Sequence, residues 1–359
     1  MDHIKVLKRA WETTWRYRAL WIFGIILALT TASGGYSGGH AGGRGGGNGG
    51  GGGNGGFPPP GEFTIPEIPP DVVTILIVAG IALACVILIL VVVAAVARYV
   101  AETALIRMVD HHEGTGEKLG VRQGFRLGWS RTAWRLFLIR LLIGLPTALV
   151  FILLFALALA PLLLWLTKIT AVGVIGTVAT IGLFLLLVLL AIVVGAMLSL
   201  LVKFFWRACA LEELGVIEAI RHGFGVVRRR WQDVLVMWLI MLGVSIGWVI
   251  VILAFTILLL PVIVLLIVVG AVLGGLPALI VWGLTSLFFD GAVPYILGAV
   301  VGIPIFALVM AVPWLFLGGL MEVFKSSVWT LTYRELRALE GLEVESLEAE
   351  PEGSPESGD

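Results

Sequence analysis

Five stretches of this chain contain no charged residue and no histidine: Val72 to Ala97, Leu141 to Thr167, Ile169 to Val202, Val234 to Phe289 and Gly291 to Met321. About 20 apolar residues cover the roughly 30 Å of a bilayer's hydrocarbon, and a charge near the centre is expensive. Runs of this length exceed what a buried helix of a soluble domain needs, so the sequence reads as an all-α, polytopic transmembrane helical bundle. The composition agrees: 59% of the 359 residues are in the apolar set and 13% are charged, where an ordinary soluble domain carries about 25% charged residues. A sixth, weaker run begins at Ala19 and loses its apolar character near Ala32.

Lysine and arginine then set the topology, because short cytoplasmic loops are enriched in them. Lys5, Lys8, Arg9, Arg16 and Arg18 precede the first apolar segment, and eight basic residues from Arg98 to Arg140 separate the second from the third. Lys203, Arg207, Arg221 and the run Arg228, Arg229, Arg230 lie between the fourth and fifth, and Lys325, Arg334 and Arg337 follow the last. Arg44 and Lys168 alone fall to the other side, so 22 of the 24 basic residues share one face. Both termini are therefore expected in the cytoplasm, in a plasma membrane. The charge rule requires an even number of crossings between Arg230 and Lys325. Six full spans meet it, with residues 261–289 as a re-entrant insert broken at Gly274, Gly275 and Pro277; eight short spans also meet it. The first apolar segment has a second reading as a signal peptide with a cleavage site near Thr30 to Ala32, although Trp11, Trp15 and Tyr17 before it favour a retained anchor.

Residues 34–61 hold 17 of the 46 glycines, a segment with almost nothing to bury and a large ordering cost. It is expected as a flexible external loop, and it lacks the strand, helix and Gly-Lys-Ser/Thr ending of a phosphate-binding loop. At the other end, residues 340–359 carry eight acids and no base, and 339–359 reads as a disordered acidic tail. This tail balances the basic connectors, which is why a net charge of zero conceals a strongly basic face.

Three basic segments share one format. Arg9, Ala10, Trp11, Trp15, Arg16, Tyr17 and Arg18 form the first. Gly124, Phe125, Arg126, Gly128, Trp129 and Arg135 form the second, and Ala219, Arg221, Gly223, Phe224 and Arg228 to Trp231 the third. Each precedes a span, and its aromatics and arginines suit an interfacial amphipathic helix at headgroup depth. With matching exits at Arg98, Arg207 and Lys325, the chain divides into three degenerate two-span units, 1–110, 115–212 and 215–338. On Gly124, Gly128, Trp129, Gly223, Phe224 and the closing Trp329, Thr330, Tyr333 and Arg334, the format resembles the membrane domain of bacterial glycerophosphoryl diester phosphodiesterases and related uncharacterised multi-pass families. That resemblance implies a membrane-domain architecture. The catalytic part of those enzymes is a separate soluble barrel carrying acids and histidines, and no stretch here is long enough to hold one, so the activity does not carry over.

The chemistry-bearing residues are sparse. Asp110, His111, His112, Glu113 and Glu117 hold ligand-type side chains, but neighbours on a helix point about 100° apart and rarely meet one metal; a polar turn is the expected reading, with no catalytic, metal or cofactor site. Asp290 interrupts the largest apolar interval and is either a hydrated loop residue or a vestibule acid. The small-residue pairs Gly195 and Ser199, Gly270 and Gly274, and Gly298 and Gly302 permit close helix approach within the chain or between copies. The reading that follows is a non-enzymatic membrane scaffold or accessory protein. Arg16, Arg18, Arg126, Arg135, Arg228, Arg229 and Arg230 would contact anionic lipid headgroups, and a membrane protein or a second copy would be the partner. The alternative is a transporter of a small or lipidic solute working through the helices near Asp290. A nucleic-acid partner is excluded by the compensated charge and the lack of an aqueous domain.

Overall fold

The structure, a computed structural model, describes residues 2–32, 70–167, 169–289, 291 and 293–349. Among these there are ten α-helices, one 3₁₀ segment and no strand. The helices are α1 (His3–Arg16), α2 (Ala19–Ala32), α3 (Pro70–Thr115), α4 (Val121–Gly128), α5 (Arg131–Leu159), α6 (Thr170–Leu211), α7 (Val216–Arg229), α8 (Trp231–Leu258), α9 (Leu260–Thr285) and α10 (Val293–Ala349), with the 3₁₀ segment at Ala160–Thr167. Six of them are long and apolar enough to cross a membrane. The protein is a multi-pass helical membrane protein. The Gly-rich segment 34–61, Asp290 and the end of the acidic tail lie outside the described residues.

Six helices have the length and composition of a span, the number expected, but they are not the same six segments. The first apolar segment forms α2, a helix of only 14 residues, about 21 Å at 1.5 Å per residue against roughly 30 Å of hydrocarbon. Residues 261–289, expected to break, instead form the continuous 26-residue α9, which runs through Gly274, Gly275 and Pro277. The physical reason is packing. A Cβ on Gly274 would sit 2.7 Å from the Gly302 carbonyl oxygen, and one on Gly298 would sit 2.9 Å from that of Ala278. The glycines admit the α10 backbone instead of ending the helix, and Pro277, which cannot donate to the Leu273 carbonyl, is carried within it. Gly270 faces Phe306, Gly274 faces Gly302 and Ala278 faces Gly298, so α9 and α10 pair in opposite directions. A second difference lies at the tail: α10 continues to Ala349, because Leu, Glu and Ala from Leu336 onward are strong helix formers.

The chain divides into residues 1–38 with 97–359, and residues 39–96. In the smaller unit the described residues form the first part of α3, whose Val86 to Val93 face outward. In the larger unit the enclosed core gathers side chains from α1, the starts of α5 and α8, α7, and the ends of α3, α6 and α10. These are the parts of the helices that carry the basic residues. The opposite parts, such as Leu145 to Leu157 in α5 and Val174 to Leu190 in α6, expose large apolar side chains along most of their length, as helices bathed in lipid do.

The three short amphipathic helices each bury a stripe of small residues on the end of a long helix. In α1, Val6, Ala10, Thr13 and Thr14 are buried while Lys5, Lys8, Arg9 and Arg16 stay out, and Val6 and Ala10 share a core with Val328 and Leu331 of α10. In α4, a Cβ on Gly128 would collide with the Val100 carbonyl oxygen and meet Ala104 Cβ at 3.0 Å, so this helix lies directly on the end of α3. In α7, a Cβ on Gly223 would meet Phe205 of α6 at 2.7 Å. Thus α4 lies on the long helix before it, α7 does the same, and α1 lies on the last helix of the chain.

Candidate functional site

The ends of α3, α6 and α10 converge on a cluster of charges that the fold encloses. Arg207 is 1% exposed and Glu102 8%, with Arg207 Nη2 3.9 Å from Glu102 Oε1. The guanidinium also donates to the Lys203 carbonyl at 2.8 Å and, across to α10, to the Ser326 carbonyl at 3.2 Å. Lys203 Nζ stands 4.9 Å over the Trp329 ring, and Lys325 pairs with Glu322 at 3.3 Å. Arg98 and Arg140 act on Glu102 as well. Around Glu102 and Glu322, cations therefore outnumber carboxylates. Arg207 Nε and the buried hydroxyls of Ser326 and Ser327 have no hydrogen-bond partner among the described residues.

A second layer of polar contacts ties the turns beyond these helix ends. Glu212 accepts from Tyr333 and Arg337 and lies 3.4 Å from His222 Nε2. Arg107 reaches Glu213 at 3.0 Å, Thr132 at 2.9 Å and the Ala210 carbonyl at 3.2 Å. Glu213 adopts φ 55°, the left-handed region that costs a residue with a Cβ about 1 kcal/mol or more. Arg107 and Arg135, the latter donating to the Glu213 carbonyl at 2.8 Å, hold that turn in place. Tyr17, between α1 and α2, donates to the Leu119 carbonyl at 2.9 Å, and burial pushes its phenol above the ordinary value.

The residues singled out from the sequence fall into three groups. Arg16, Arg18, Arg126, Arg228 and Arg229 are exposed, Arg229 lying 3.7 Å from Glu340. Arg135 and Arg230 are half-buried, and Arg135 is engaged by the α6–α7 turn. In the ligand-type cluster, Asp110 takes Arg334 at 2.6 Å, Glu113 takes Arg9, and His112 Nδ1 meets the Glu117 carbonyl at 3.2 Å. Among the described residues no group of three or more His, Cys, Asp or Glu side chains is placed to hold a metal ion. Trp11, Trp15, Trp129, Trp134 and Trp231 are exposed, as an aromatic belt requires, whereas Trp206 and Trp329 are core residues.

Glu102, Glu322 and Glu212 were not legible as site residues. Each sits beside lysines or arginines at the end of an apolar run, and a charge there reads equally well as a side chain reaching out to water. The helix face decides, and three helices have to meet before the face is known.

Residues 1–329 match DUF7544, a family of unknown function. The chain belongs to that family. The match covers all ten helices up to Trp329 in α10, including every member of the enclosed charge cluster. No curated protein and no solved structure matches the chain.

Proposed function

We propose that the protein is a non-enzymatic scaffold or accessory protein of a bacterial plasma membrane, with both termini in the cytoplasm, that grips anionic lipid headgroups through its basic amphipathic helices. One observation carries this reading: exposed Arg16, Arg18, Arg126, Arg228 and Arg229 stand beside exposed Trp11, Trp15, Phe125, Trp129 and Phe224 on or next to α1, α4 and α7. Aromatic rings at headgroup depth next to cations form the pattern that anionic leaflets attract, at about 1 kcal/mol per basic residue near the surface. The shared packing of α1, α4 and α7 on long-helix ends supports three related units, and the resemblance to the phosphodiesterase membrane domain enters as architecture alone. Gly195, with no neighbour within 4 Å of where its Cβ would be, leaves the Gly195 and Ser199 pair available to a membrane partner or a second copy.

The test is lipid selectivity. Reconstituted protein is expected to enrich spin-labelled phosphatidylglycerol over phosphatidylcholine in its boundary layer at low salt. The triple variant Arg126→Gln, Arg228→Gln, Arg229→Gln is expected to lose most of that enrichment. Equal selectivity in the two proteins would refute the reading. A transport reading is favoured by a different observation, the buried Glu102 and Arg207 with half-buried Lys203 within long apolar helices. Solute flux in proteoliposomes that disappears with Glu102→Gln would replace the scaffold with a transporter.

A further inference from the structure

A groove of about 480 Å³ opens between α1, α8 and α10, a volume within the usual range of small-molecule sites. It exists because α8 leaves the core gradually. Its inward stripe at Val234, Met237 and Met241 is buried, and Val244 and Trp248, the next two positions of the same stripe, are half-exposed. Val244 and Trp248 form one wall of the groove, and Leu320 of α10 lies on another. The wall is almost wholly apolar and includes no acidic residue. Its one polar side chain besides Lys8 and the indoles is Thr14, whose hydroxyl already donates to the Ala10 carbonyl at 2.8 Å.

The rim has a different character. Lys8 lines it, is exposed, and has no carboxylate partner among the described residues, unlike its neighbour Arg9, which is held by Glu113. Trp11 and Trp15 stand beside it with ring centroids 5.7 Å apart, and their indole N–H groups donate to no acceptor among the described residues. An occupant must therefore be apolar along its length and anionic at one end. A second protein helix would fill the apolar part but would answer Lys8 only by placing a carboxylate at that level.

We propose that this groove binds one anionic phospholipid, with an acyl-type chain against Val244, Trp248 and Leu320 and its phosphate held by Lys8 and the indoles of Trp11 and Trp15. The site deepens the lipid-gripping reading and rests on it for the sidedness of the headgroup. It differs from that reading in being a single stoichiometric site instead of a boundary layer.

The experiment uses the full chain in phosphatidylcholine nanodiscs doped with phosphatidylglycerol, with the lipids that stay on the released protein counted by native mass spectrometry. The wild type is expected to retain one phosphatidylglycerol per chain in preference to phosphatidylcholine. Lys8→Gln should lower that preference about tenfold, the loss of one charge-assisted hydrogen bond. Val244→Trp, which fills the groove without touching the charge, should abolish retention of the lipid, and Leu320→Trp fills it from the opposite wall if the first variant does not fold. The triple variant Arg126→Gln, Arg228→Gln, Arg229→Gln lies outside the groove and should keep the bound lipid even where it loses boundary selectivity, so the two proposals fail separately. Retention of phosphatidylcholine as strongly as phosphatidylglycerol, or retention unchanged in both groove-filling variants, would overturn the site. So would a wild-type dimer that those variants dissociate, because the occupant would then be a second copy.

Discussion

Arg207 is among the largest side chains that the fold fully encloses, and its position follows from the cost of leaving a charge without partners. Taking a guanidinium out of water is tolerable only when carboxylate and carbonyl acceptors replace the hydration. Glu102, the Lys203 carbonyl and the Ser326 carbonyl supply those acceptors from three helices. Removing one member leaves an uncompensated charge. Glu102→Ala and Arg207→Met are each therefore expected to cost about 3 to 5 kcal/mol, while the double variant carrying the same two changes is expected to cost much less than their sum. Thermal unfolding of the purified protein in detergent compares them, and additive losses would show that the two side chains are not coupled.

Among the helices, close approach is decided by single hydrogen atoms. The pairing of α9 with α10 depends on Gly274, Gly298 and Gly302, where backbone carbonyls occupy the space a Cβ would need. Van der Waals contact between backbones is a main source of helix association in lipid, since apolar side chains gain little there over lipid tails. Gly302→Leu is expected to destabilise the protein by about 1 to 3 kcal/mol through overpacking. Gly243→Leu, in α8 where nothing stands within 4 Å, should be neutral or slightly stabilising because leucine is the better helix former. Protease resistance in detergent distinguishes the two. Equal behaviour would mean that α9 and α10 are not packed through these glycines. The pairs Gly270 with Gly274 and Gly298 with Gly302 were visible in the sequence as helix-contact signals. That they meet each other, and that α9 therefore does not break, was not.

For the whole molecule, the basic segments separated by hundreds of residues come together at one end of the long helices. Val234 at the start of α8 and Leu336 near the end of α10 share one core with Val6, Leu136 and Phe204, so the chain leaves and returns to the same end. The charge rule anticipates this arrangement. In a Cys85→Ser background, Lys5→Cys, Glu117→Cys and Gln232→Cys are all exposed positions. Each is expected to react with a membrane-impermeant maleimide only after the cytoplasmic side is opened. Labelling of any one from the outside would break the single-sidedness on which the lipid proposals depend.

Composition along one dimension carries the class of the protein and the grouping of charges, because each follows from the cost of placing charge or unpaired backbone in hydrocarbon; the choice between six and eight spans stayed open at that level. Tertiary structure alone decided that α9 is continuous, that Glu102 and Arg207 are enclosed, that Trp206 and Trp329 lie in the core, and that a groove opens beside α1. Those outcomes depend on which face of a helix meets which neighbour, and a helix with apolar residues all round carries no periodic signal to say.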